Sequence, residues 1–242
     1  MKKLNKLSNS PQPVETQPSS IAQSQPLLIN RSLRLRNNQF YPEVSHKDSI
    51  FLHHTAGTTA RGAFDWWNQT PEAVGTAYII DRDGTIYEVF PPDRWGYHLG
   101  IKGDDNYMEK HSIGIELVAT GPLKNVDEGF LFYPLWPLKT AKKMIPNSEV
   151  FHVKEGWREE RFFQIYTDLQ IRALQLLIPH LIKEFNMPIS SITEDFYNYD
   201  GSVIKDHKPG VWAHSTVRSD KNDIFPYPKL IDSLTNLNPN KQ

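Results

Sequence analysis

Three side chains stand where a catalytic metal is commonly held: His53, His214 and Asp223. Two neutral imidazoles and one carboxylate suit a zinc ion, and three protein ligands leave a fourth position open, the catalytic rather than the structural pattern. The 242-residue chain has no cysteine, so thiolate sites and disulfide frameworks are excluded. His53 closes the apolar run Ser49-Ile50-Phe51-Leu52, and His214 closes Val211-Trp212-Ala213. Both are expected at strand ends, and Asp223, nine residues after His214, reaches them if the intervening loop folds back. Nine histidines allow many pairings, and a strand-end histidine is often a packed residue, so spacing alone leaves this grouping one among several. Glu116 is marked in another way. It is the lone acid of the apolar run Ser112 to Val118, where a carboxylate must find a partner or a task.

The elements that must position these residues follow from pattern. Ser49 to His53 reads as a buried strand, and Thr59 to Gln69 as a short helix with Ala63, Phe64 and Trp67 on one face. Thr76 to Ile80 and Thr85 to Phe90 flank Asp81-Arg82-Asp83-Gly84, a hairpin signal in which Gly84 supplies the positive φ of the turn. Ser112 to Val118 is a further strand. Thr167-Asp168-Leu169-Gln170 fits a capping box, opening a helix whose apolar face is Leu174, Leu177, Ile178, Leu181, Ile182 and Phe185. Pro179 lies inside it and is expected to kink it or cost a hydrogen bond. Val211 to His214 reads as a last strand and Pro228 to Leu237 as a closing helix. Alternating strands and helices predict a single α/β domain over 31–242, a central mixed sheet flanked by helices. Residues 121–166 form an excursion with prolines and clustered aromatics and one expected strand at Glu149 to Val153.

Residues 1–30 are rich in Ser, Gln, Pro and Asn, and a disordered polar tail is expected there. Met1-Lys2-Lys3 is like the start of a signal peptide, but Leu4 to Ser20 holds no apolar run. Synthesis in the cytoplasm and no membrane insertion are therefore expected, with any action on a cell wall following release. The formal net charge of −1 gives no pull toward nucleic acid, which is not expected as a partner.

Leu52-His53-His54-Thr55-Ala56-Gly57 resembles the first metal-ligand motif of the N-acetylmuramoyl-L-alanine amidase family, which includes phage lysozyme-type amidases, anhydromuramyl amidases and peptidoglycan recognition proteins. Further resemblances follow in the family's order: Ala77 to Ile86, His111-Ser112-Ile113-Gly114-Ile115-Glu116-Leu117, Ala213-His214-Ser215 and Lys221-Asn222-Asp223, together covering about residues 48–232. The resemblance implies the family fold, a Zn2+ cofactor on His53, His214 and Asp223, and hydrolysis of the amide between N-acetylmuramic acid and L-alanine in peptidoglycan or muropeptides. It implies Glu116 as the base toward water and Lys221 as the cation that steadies the oxyanion. His53, the first of the histidine pair, is the implied ligand. Neighbouring strand residues point to opposite faces, which assigns His54 a supporting role.

Trp95-Gly96-Tyr97-His98-Leu99-Gly100 resembles the family's groove-lining segment, and the expected substrate contacts are His98, Trp95, Tyr97, Asn106 and Thr76. Trp66 and Tyr107 are further groove candidates, while Trp67 fits the helix core. His111, His152, His180 and His207 are expected at the surface or in packing. One departure concerns the segment between His214 and Asp223, which lacks the Ala-Pro-Gly-Arg stretch of the anhydromuramyl amidases and is one residue shorter. The implied roles are those of a monomeric, cell-wall-lytic, endolysin-like and antimicrobial enzyme. The alternatives are a cytosolic enzyme recycling anhydromuropeptides and a non-catalytic peptidoglycan-binding module. The last is disfavoured because all three ligands are present.

Overall fold

The structure, a computed structural model, describes residues 26–101, 103, 105–127, 129–132 and 143–237. Of the expected polar tail, residues 1–25 lie outside the described residues. The chain enters the fold at strand β1, Ile29–Asn30.

All six residues of β2, Ser49–His54, are buried. A strand buried on both faces belongs in the middle of a sheet with a layer on each side. That is its place. Among the described residues six strands order as β1-β4-β3-β5-β2-β11, with β3 at Tyr78–Ile80, β4 at Ile86–Glu88, β5 at Ser112–Leu117 and β11 at Gly210–Ala213. β3, β5, β2 and β11 are mutually parallel, while β4 returns antiparallel to β3 through the expected hairpin. Gly84 has φ +84° in that turn, and a Cβ there would stand 2.9 Å from the Leu169 carbonyl.

Helix α1, Ala60–Trp67, starts on Thr59, whose side chain accepts the Gly62 N–H, and buries Phe64 and Trp67. Helix α2, Tyr107–His111, leads directly into β5. The long helix α3, Asp168–Glu184, opens with the capping box on Thr167 and Gln170. Gln170 also donates to the carbonyls of Ile80 and Val118, which docks the first turn of α3 onto the ends of β3 and β5. The helix runs through Pro179. Burial of Leu174, Leu177, Ile178, Leu181 and Ile182 on one face offsets the lost backbone donor. Short helices α4, Ser202–Lys205, and α5, His214–Val217, flank β11, and α6, Pro228–Thr235, packs on α3.

The excursion is more regular than its sequence promised. Among the described residues it builds a second, antiparallel sheet in the order β8-β7-β6-β10-β9. Its strands are β6 Pro122–Val126, β7 Gly129–Phe132, β8 Lys143–Ile145, β9 Val150–Trp157 and β10 Glu160–Gln164. The strand expected at Glu149 to Val153 is the first half of β9. Leu123 and Ile145 are buried there, with Phe130, Val150 and Phe162 packed on them.

Lys47, just before β2, is fully buried and donates to the carbonyls of Arg94 and Lys110. Burial pulls its amine from 10.5 down to about 7, against the opposing charges of Asp93 and Asp48. Below pH 7 folded and unfolded chains both carry the charge, and the folded state bears the full cost of burying it. Above that the folded chain sheds the proton first, so this group makes stability rise with pH until the unfolded amine also titrates. Relative to Lys47→Met, the wild type is expected to gain about 2 kcal/mol between pH 7 and roughly pH 9 in urea melts. A pH-independent difference would contradict the assignment.

Candidate metal centre

β5, β2 and β11 lie side by side and parallel, so their C-terminal ends open on one edge of the sheet, where α/β folds commonly bind ligands. His53 pairs with Glu116 across β2 and β5, and Leu52 with Ala213 across β2 and β11. Residues directly opposite share a face, so His53 and Glu116 project together. His214, one residue beyond Ala213, joins them as the first residue of α5.

His53 Nδ1 lies 3.1 Å from His214 Nδ1 and 3.3 Å from Asp223 Oδ2, and His214 Nδ1 lies 3.1 Å from the same Oδ2. The three side chains are 3%, 9% and 10% exposed, so water does little to separate these atoms. His214 Nε2 is 3.0 Å from the Leu99 carbonyl. A carbonyl oxygen only accepts, so the His214 ring donates from Nε2 and turns Nδ1 toward Asp223. Burial lowers the His53 pKa to about 4, which keeps its imidazole neutral, the form that ligates. Burial pushes Asp223 upward, but the neighbouring imidazoles of His214 and His53 more than offset this and hold its carboxyl well below the usual carboxylate range. Ring nitrogens and a carboxylate oxygen thus converge in a buried place. The donor set fits a divalent cation, and the three residues form a group able to hold a metal.

His54 turns to the other face of β2, as strand alternation requires, and its Nδ1 meets the Tyr166 hydroxyl at 3.1 Å. Glu116 sits beside the trio with its Oε2 enclosed and without a hydrogen-bond partner. Burial, reinforced by the Asp223 charge and opposed by Lys221, raises its pKa well above the ordinary value. The charge of Lys221 opposes that rise at Glu116 and adds to burial in lowering the pKa of His54.

The segment from Ser215 to Asn222, the rest of α5 and the turn beyond it, is held by groups that sequence reasoning did not single out. The tip of the β9–β10 hairpin reaches it. Arg158 donates to the carbonyls of Ser219 (2.6 Å) and Ser215 (3.1 Å), and the Trp157 indole to that of Asn222 (3.3 Å). Arg218 ties the loop to the carbonyls of Leu99 and Gly100, and Ser215 N–H bonds the Asp223 carbonyl.

Of the expected substrate contacts, Trp95, Thr76 and His98 are buried. Trp95 is 5% exposed and stacked on Tyr41, and Thr76 is 2% exposed and bonded to the Tyr78 carbonyl. The His98 side chain is 4% exposed and lies behind His53, its Nδ1 3.0 Å from His53 Nε2. These three touch protein: Trp95 packs on Tyr41, while Thr76 and His98 lie against Gly114 of β5. Tyr97 is half-buried and edge-on to Tyr41 and Trp95. Asn106 precedes α2 in a left-handed conformation. Trp66 is 41% exposed and Trp67 is core, while Tyr107 is stacked between His111 and His207. His152 stacks on Phe162, and His180 pairs with Glu184 at the surface.

A family profile described as N-acetylmuramoyl-L-alanine amidase matches residues 44–228. Among solved structures the chain is similar to that of PlyL, with a TM-score of 0.49 and 14% identity over 87% of this chain and 99% of that one. It is similar to the catalytic domain of XlyA (TM-score 0.48, 15% identity, 86% and 99% covered). It is also similar to AmiD from E. coli in complex with anhydro-N-acetylmuramic acid-L-Ala-D-gamma-Glu-L-Lys (TM-score 0.46, 16% identity, 79% and 59% covered). No curated protein matches the chain.

Proposed function

The chain belongs to the N-acetylmuramoyl-L-alanine amidase family, and we propose that it is a zinc-dependent member hydrolysing the amide between N-acetylmuramic acid and L-alanine of peptidoglycan. The observation that carries the metal reading is the convergence of His53 Nδ1, His214 Nδ1 and Asp223 Oδ2, buried and within 4.8 Å of one another. When bound there, zinc supplies polarisation of the amide carbonyl and a water acidified to a pKa of about 7.

The chain's own residues do the rest. Glu116, with an unpartnered buried oxygen and a raised pKa, takes the proton of the attacking water and passes it to the departing amine of L-alanine. The carbonyl carbon gains a C–O bond and loses its C–N bond, giving a free carboxylate and a free amine. Lys221 steadies the negative charge on the carbonyl oxygen. Arg158 and Trp157 keep the Lys221 loop in register. Arg158→Ala is accordingly expected to lower kcat/KM by about tenfold to a hundredfold, with little change in thermal midpoint because the hairpin tip is a surface turn. Unchanged kinetics would remove Arg158 from the account.

The same reading extends to the biological target. The chain from β1 onward is read as one domain that acts as a monomer on the intact wall after release from the cytoplasm, in the manner of an endolysin. The second sheet and the polar N-terminal segment favour this over recycling, for which a minimal domain suffices. No helix among the described residues is long and apolar enough to cross a membrane. Incubating the enzyme with purified sacculi and with soluble anhydromuropeptides tests the target. Faster release of free amino termini from sacculi is expected, and activity confined to the soluble fragments would assign recycling instead.

A further inference from the structure

His53 can present Nδ1 to a metal only when its proton sits on Nε2, and nothing in its own strand decides that. Nε2 faces the Nδ1 of His98 at 3.0 Å, a ring nitrogen that either donates or accepts. The choice is settled further out. His98 Nε2 lies 3.0 Å from Ser112 Oγ, and Ser112 Oγ lies 2.5 Å from the Met108 carbonyl oxygen. That carbonyl has no proton to give, so Ser112 donates to it. The Ser112 oxygen then receives the Nε2–H of His98, which leaves His98 Nδ1 a bare acceptor for the Nε2–H of His53. His53 Nδ1 is left with its lone pair facing His214 and Asp223.

We propose that Met108, Ser112 and His98 form a hydrogen-bond relay that fixes the tautomer of His53, making His98 and Ser112 positioning residues for the metal site. The proposal rests on the metal reading above. Two further features of the structure support it. Ser112 is 3% exposed and the His98 side chain 4%, so solvent does not substitute for a missing partner. The buried carboxylate of Glu109 accepts the backbone N–H groups of His98 (2.8 Å), Leu99 (3.1 Å) and Gly100 (2.8 Å). One anchor therefore holds both the ring that orients His53 and the Leu99 carbonyl that orients His214. β5 also leaves room for the ring: a Cβ on Gly114 would stand 3.1 Å from His98 Nδ1 and 2.6 Å from Thr76 Cγ2.

The test uses the full chain and has two readouts. Long-range proton–nitrogen NMR correlations on labelled histidines report the tautomer of His53 in metal-stripped protein. Competition with a chromophoric chelator reports zinc affinity. The wild type is expected to show His53 protonated only at Nε2. Ser112→Ala frees His98 to turn its own tautomer, so His53 should become a mixture and zinc affinity fall about tenfold. His98→Leu is expected to lose roughly 10–100-fold. His98→Asn, whose Oδ1 stands near the place of Nδ1 and accepts the same proton, should recover most of that loss. Ser112→Ala removes only a small hydroxyl and keeps the test open if His98→Leu fails to fold. A wild-type His53 protonated at Nδ1, or a Ser112→Ala protein with unchanged tautomer and affinity, would overturn the relay. A wild type that binds no zinc yet shows the Nε2–H tautomer would overturn the metal reading and not the relay.

Discussion

His53→Ala is expected to abolish stoichiometric zinc and to lower amide cleavage by about 10³-fold or more. His53 is central in two senses. It sits on a strand buried along its whole length, and its Nδ1 closes the triangle with His214 and Asp223. Without it, a nitrogen and a carboxylate oxygen remain, too few ligands for a catalytic zinc site. Unfolding alone would not explain the loss, and stability measurements separate the two. In metal-free protein the converging lone pairs gain nothing from one another, so removing one ring should cost the apo fold little beyond a cavity. Zinc at about a thousandfold over its dissociation constant should stabilise the wild type by about 4 kcal/mol, and His53→Ala not at all. A variant that still gains thermal stability from zinc would mean that the ligand set is wrong.

Glu116→Gln is expected to lower kcat by about 10²–10⁴-fold while leaving zinc bound. Glutamine keeps the shape and cannot take a proton. Burial already disfavours the charged form of Glu116, so a neutral amide in its place should leave the thermal midpoint unchanged or raised. Low turnover with intact metal and undiminished stability is the signature of a base. A purely structural glutamate gives the reverse: stability falls and turnover of the folded fraction holds. The experiment needs only steady-state kinetics, metal content and a melting curve on one variant.

Much of the geometry around His53 and His214 was legible in the sequence. The apolar runs ending in His53 and His214 specify strand ends. Their parallel pairing with β5 then brings Glu116 into line, because a strand's alternation is fixed once its buried face is known. Alternation also separated His54 from His53 correctly. The pairing of Asp223 with the histidines needed the resemblance to the amidase family, since the eight residues between His214 and Asp223, the rest of α5 and a turn, carry no period to read.

Whether the expected substrate contacts face a groove was not legible in the sequence, for a physical reason. Trp95, His98 and Thr76 are types that serve equally in a groove or against a strand, and only the packed fold decides. The relay was invisible for the same reason: His98 is separated from His53 by 45 positions and joined to it by one hydrogen bond. Apart from the strand expected at Glu149 to Val153, the second sheet escaped because its strands are mostly half-buried or exposed, and their order is set by tertiary pairing rather than by sequence period. Its role in holding the Lys221 loop followed only from seeing Arg158 and Trp157 reach the carbonyls of Ser215, Ser219 and Asn222.

The central claim is that one zinc ion on His53, His214 and Asp223 makes this chain an amidase. Its most direct test is a zinc titration of chelator-stripped protein, with bound metal and cleavage of the muramoyl–L-alanine bond measured on the same samples. The account predicts no cleavage without metal, and activity rising in step with occupancy to a plateau at one ion per chain. Full cleavage by the stripped protein, or activity that ignores occupancy, would contradict it.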